Sequence, residues 1–186
     1  GFVVAEITNL SAPNIIGGIS TKKDARRLVV DGTFAYVAQG RDGIGIYDIG
    51  NPRSPQLVKN FDPSVITTVA YDLMKIGNLL YIADGAAGLI IVDVRNPAVP
   101  RVLASTNTSN NADDSAQKVE VDGTIAYVAN SYSGVKIFDI SDPMKPALIG
   151  QIRTAGDVVD VHIIGNYVYI ADQTGISVIR ATHQSL

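Results

Sequence analysis

The sequence of 186 residues contains no cysteine and no tryptophan, and its only histidines are His162 and His183. Without cysteine there are no disulfides, no cysteine-ligated zinc or iron–sulfur sites and no thiol catalysis. The compartment stays open, because an exported bacterial protein lacks cysteine as readily as a cytoplasmic one. Fifteen basic residues against 18 acidic ones leave a net charge of −3, and no basic run exceeds Arg26–Arg27. The chain therefore offers no electrostatic footprint for nucleic acid or an anionic membrane. No apolar run approaches the ~20 residues that span a bilayer, and the opening GFVVAEITNL lacks the basic start and long apolar centre of a signal peptide. Gly1 in place of a starting Met fits a mature product or a segment of a longer protein.

What is present is repetition. Hydrophobic residues make up 46% of the chain, enough for one domain with a real core. Tyr36, Tyr81, Tyr127 and Tyr169 each begin a Tyr-[Val/Ile]-Ala triplet, a period of about 45 residues. A glycine follows each in register (Gly43, Gly88, Gly134, Gly175), and another precedes each in a turn (Gly32, Gly77, Gly123, Gly165). Asp-Gly and Gly-Asn turns are strong hairpin signals, so each unit reads as a first strand, a tight turn and a second strand. A glycine-bearing loop then leads to a third strand (GIGIYDI, GLIIVDV, GVKIFDI, GISVIRA), a proline turn (NPRSP, NPAVP, DPMKP) and a fourth short strand. Proline cannot sit in a central strand, so each proline pair marks a stop.

Four antiparallel strands repeated at this period predict an all-β fold, a β-propeller of four-stranded blades. The third strands are apolar on both faces, which blades packed face to face require. A two-sheet sandwich ranks second, since it should show cleaner alternation. The approximate repeats are 1–20 (partial), 21–64, 65–110, 111–154 and 155–186 (partial), one domain in all. Four repeats plus an extra strand point to a partial propeller, completed by a missing segment or by a second copy pairing through open blade edges. In a closed ring, strand 14–19 would complete the final blade and leave the first strand over.

The segments GLIIVDVRNPAVP, GIGIYDIGNPRSP and GVKIFDISDPMKP resemble the LVIVD repeat, a family of prokaryotic propeller-forming repeats. The resemblance covers nearly the whole chain. Two copies depart from it: Glu6 and Leu10 replace the Asp and the first Pro near the N-terminus, and Arg180 replaces the Asp near the C-terminus. It implies a propeller, commonly in secreted or surface-associated proteins, and carries almost no activity with it.

The charged columns are the remaining candidates. Asp48, Asp93 and Asp139 precede the proline turns, where a carboxylate accepts backbone N–H groups that the turn leaves unpaired. A calcium ring is the alternative, but the three lie in different blades. Arg27, Asp72, Lys118 and Asp160 occupy equivalent first-strand positions and alternate in sign, so with Glu120 they would make ion pairs at the channel mouth. Asp160 and His162 share a strand face, the one arrangement here that would orient a base or a metal ligand. Asp113 and Asp114 lie in the polar stretch STNTSNNADDSA, which lacks the spacing of a calcium loop. GRDGIG lacks the Lys-[Ser/Thr] of a phosphate loop, and Tyr132 is a candidate exposed contact. By analogy of fold and of the family it resembles, the chain is expected to be a non-catalytic binding or scaffold module of a larger prokaryotic secreted or surface protein, taking a protein or glycan ligand and no cofactor. The alternatives are a metal-assisted hydrolase or lactonase, with calcium the metal considered, and a purely architectural spacer.

Overall fold

A computed structural model describes residues 1–21, 24–62, 69–108 and 114–180, in which every regular element is a β-strand. β1 (Phe2–Glu6) and β2 (Asn14–Ile19) form a two-stranded half-blade. The first blade follows as β3 (Arg27–Asp31), β4 (Phe34–Ala38), β5 (Ile44–Asp48) and β6 (Gln56–Phe61). The second comprises β7 (Ala70–Ile76), β8 (Leu79–Asp84), β9 (Leu89–Asp93) and β10 (Arg101–Thr106). The third comprises β11 (Ala116–Asp122), β12 (Ile125–Asn130), β13 (Val135–Asp139) and β14 (Ala147–Ile152). The fourth has three strands, β15 (Val158–Ile164), β16 (Tyr167–Asp172) and β17 (Gly175–Arg180). All neighbours pair antiparallel in sequence order, as consecutive hairpins dictate.

Register repeats with the sequence. Arg27, Asp72, Lys118 and Asp160 oppose Ala38, Ala83, Ala129 and Ala171. The third-to-fourth strand pairing slips by one residue at a bulge in the half-blade and in each of the first three blades. A glycine at 43, 88 and 134 is a geometric necessity. Its φ is 72°, 82° and 81°, and a Cβ there would lie 2.4, 2.4 and 2.0 Å from the carbonyl oxygens of Phe61, Thr106 and Ile152.

The core lies between blades. Tyr36, Ala38, Ile44 and Ile46 of the first pack on Leu73, Leu80, Ile82 and Ile90 of the second. The second packs on the third through Leu89, Ile91, Val119 and Phe138, and the third on the fourth through Tyr127, Val135, Val161 and Ile170. Phe2 and Ile19 of the half-blade cover Ala35, Val37 and Tyr47 on the other face of the first blade. Each fully buried aliphatic side chain contributes about 1.5–3 kcal/mol, so adhesion between blades dominates the stability. Short bridges, Gly40 to Ala70, Gly85 to Ala116 and Ser131 to Val158, join each blade to the next.

Candidate functional site

The carboxylates before the proline turns close those turns. Asp48 Oδ1 accepts the N–H of Gly50, Asp93 Oδ1 that of Arg95 and Asp139 Oδ1 that of Ser141, each at 2.8 Å. The next polar residue repeats the device: Asn51, Asn96 and Asp142 accept the N–H groups of Arg53, Ala98 and Met144 at 3.0–3.1 Å. The hydrogen bonds from Ser141 hold the Asp139 carboxyl below the usual carboxylate range. Each of the three aspartates sits in its own blade, as the last residue of the third strand.

The first-strand charges meet at the opposite end of the blades. Asp72 is nearly buried and lies between Arg27 at 3.4 Å and Lys118 at 3.5 Å, while its Oδ2 also accepts the N–H of Val119 at 3.1 Å. One carboxylate thus ties three successive blades. Asp160 is exposed and accepts the N–H of Val161 at 2.9 Å, and among the described residues it makes no ion pair. One turn of pleat deeper, Glu120 meets His162 Nδ1 at 3.2 Å across the third and fourth blades. Asp160, His162, Tyr169, Ala171 and Ile176 line a cleft of 180 Å³ on the outer face of the fourth blade.

Three groups escape a reading of the sequence alone. Gln39, Asp84, Asn130 and Asp172 stand three residues after the repeated tyrosines, at the ends of the second strands. Asn130 donates to the Thr108 carbonyl at 2.9 Å and accepts the Thr108 hydroxyl at 2.6 Å, so it pins the segment entering its blade. Asp172 accepts Thr174 N–H (2.8 Å), Thr174 hydroxyl (2.7 Å), Gly175 N–H (2.9 Å) and Gly156 N–H (3.4 Å), and these donors hold its carboxyl at about 2. Lys136 is buried where the sister repeats have Gly45 and Ile90; it donates to Gln151 Oε1 at 3.2 Å. Burial pulls its pKa below the ordinary lysine value, with the nearby Asp114 charge opposing that shift. Lys75 reaches across to Asp31 and lies 5.6 Å from the Tyr36 ring centroid, bridging the first two blades. Register alone gave a signal: Lys75 breaks a column otherwise held by Val30, Val121 and Ile163, Lys136 stands where Gly45 and Ile90 do, and Gln39, Asp84, Asn130 and Asp172 form a column that is polar in every repeat.

Asp114 is buried and accepts the Ser133 hydroxyl, whereas Asp113 and His183 lie outside the described residues. Among the described residues, no three acidic or histidine side chains converge as a metal site would require.

The loops between second and third strands share one backbone. In each of the first three blades the same three hydrogen bonds close the turn, and φ is positive at Gly40, Gly85 and Ser131. At the tip a single exposed residue differs from blade to blade: Arg41, Ala86 and Tyr132, the last 65% exposed.

Consecutive four-stranded antiparallel blades, packed face to face with their first strands innermost, define a β-propeller-type repeat protein. The chain belongs to the LVIVD repeat family, whose sequence model matches residues 22–63, 69–108, 113–154 and 155–179. Among solved structures, the computationally designed Ika4 protein is similar with a TM-score of 0.69 at 13% identity, over 88% of this chain and 94% of that one. The computationally designed Ika8 protein is similar with a TM-score of 0.70 at 13% identity, over 90% of this chain and 49% of that one, so this chain spans about half its length. These likenesses concern the fold. Comparison with curated proteins finds no match.

Proposed function

We propose that this chain is a non-catalytic binding module within a larger prokaryotic secreted or surface protein, and that it takes a protein or glycan ligand on the loop face carrying Arg41, Ala86 and Tyr132. The observation that carries this reading is the constant loop backbone with one changing exposed side chain per blade. A rigid frame with variable tips suits recognition, and Tyr and Arg are the residue types that anchor interfaces. The membership of the family supports the placement in a secreted or surface protein. The enzyme reading would use Asp160 and His162, which share the cleft on the fourth blade.

Screening the chain on a glycan array and on a panel of purified surface proteins tests the reading, alongside chromogenic ester and lactone substrates with and without calcium. The expected result is binding that Arg41→Ala and Tyr132→Ala together abolish. Turnover that falls in Asp160→Asn or His162→Ala would favour the enzyme instead.

A further inference from the structure

We propose that two copies of this chain associate head to tail, the open face of the fourth blade in one packing on the first blade of the other. Three internal interfaces define what this face is for. Ile44, Leu89 and Val135 occupy one position of the third strand, and all are fully buried against the following blade. Ile176 holds that position in the fourth blade and is 78% exposed. Val178 is likewise exposed where Ile46 and Ile91 are buried, and Tyr169 is partly exposed where Tyr36, Tyr81 and Tyr127 are buried.

Charge selects the occupant. The inner column runs Arg27, Asp72, Lys118, Asp160, and the two ion pairs of Asp72 use its first three members. Asp160 lies exposed on the open face, and Arg27, half exposed at the other end of the series, is the group that a second copy would bring against it. The sign alternation then continues unbroken through both copies, and complementary pairs of this kind fix register and exclude wrong partners.

The strand edge agrees. Among the described residues no strand pairs with the outer side of β17, whereas a fourth strand pairs at that side in each of the first three blades. In the half-blade, Phe2 pairs with Ile19 in the register by which Ile44 pairs with Phe61. β2 of the second copy therefore fits the edge of β17, with Ile19 opposite Ile176, and β17 takes the place that β1 holds in the isolated chain. Strand addition to an open edge supplies main-chain hydrogen bonds, and the apolar face supplies the adhesion. Two such contacts related by a twofold axis close on themselves.

Sedimentation equilibrium over a wide concentration range tests this. The expected mass at high concentration is twice the chain mass of 19.7 kDa. Ile176→Glu, which alters an exposed side chain of the single chain, is expected to return the mass to 19.7 kDa with an unchanged β-sheet circular dichroism spectrum. Asp160→Arg is expected to weaken association at least about tenfold. The chain has no native cysteine, so Ile19→Cys with Ile176→Cys should yield an oxidised species of double mass. A single-chain mass at every concentration, a double mass that survives Ile176→Glu, a disulfide formed within one chain, or assembly beyond two copies would each overturn the proposal. None of these readouts uses a ligand, so the loop-face reading stands or falls separately.

Discussion

Ile44 and Ile176 hold the same place in the repeat, yet one is fully buried and the other is 78% exposed. Their strands have similar sequences and the same pairing on the inner side. The difference comes from what lies across the face, so burial in this fold belongs to the blade pair and not to the blade. Repeat proteins behave this way in general, with stability divided between intrinsic and nearest-neighbour terms.

The largest effect should separate these two faces directly. Ile44→Ala is expected to cost about 2–5 kcal/mol, whereas Ile176→Ala, at a concentration that keeps the chain monomeric, should stay within about 0.5 kcal/mol. Urea unfolding midpoints check both, and equal shifts would break the contrast. The charged column gives the next comparison. Asp72→Asn leaves Arg27 and Lys118 facing a neutral group at a nearly buried site, an expected loss of about 1–3 kcal/mol. Asp160→Asn in the monomer should change the stability by less than about 0.5 kcal/mol, because its carboxylate is exposed and pairs with no cation among the described residues.

The turns come third. Asp93→Ala frees the Arg95 N–H and is expected to cost about 1 kcal/mol; an unchanged melting midpoint would remove the turn-holding role. The smallest effect concerns pH. The Asp172 carboxyl is held at about 2 by the hydrogen bonds of Thr174, and further by Gly156 and Gly175, below the ~3.9 of an unfolded chain. Its folded form binds the proton less readily, so its stabilisation is complete above about pH 4 and is lost as pH falls through about 2. Asp172→Asn should therefore flatten the stability profile in that window, as followed by thermal melting from pH 5 to pH 2.

Much of the fold is legible in the sequence because its determinants are local. The Asp-Gly and Gly-Asn turns place the hairpins, and the strand read at 14–19 is β2, Asn14–Ile19. The proline pairs mark where third strands stop. What stays hidden depends on partners distant in the chain. Asn130 looks like a loop residue until Thr108 is seen to face it, and Lys136 looks like an exposed charge until blade packing buries it near Asp114. The charge column shows both limits: spacing alone aligns Arg27, Asp72 and Lys118, but distances distinguish the paired Asp72 from the exposed Asp160.

The proposed association makes the open face of the fourth blade an interface that a second copy covers. Amide hydrogen exchange, recorded at dilute and at concentrated protein, tests it most directly. Strong protection of β8 and β12 is expected under both conditions, with protection of the β17 amides, Gly175–Arg180, rising with concentration. Exchange in β17 that is identical at both concentrations would contradict it.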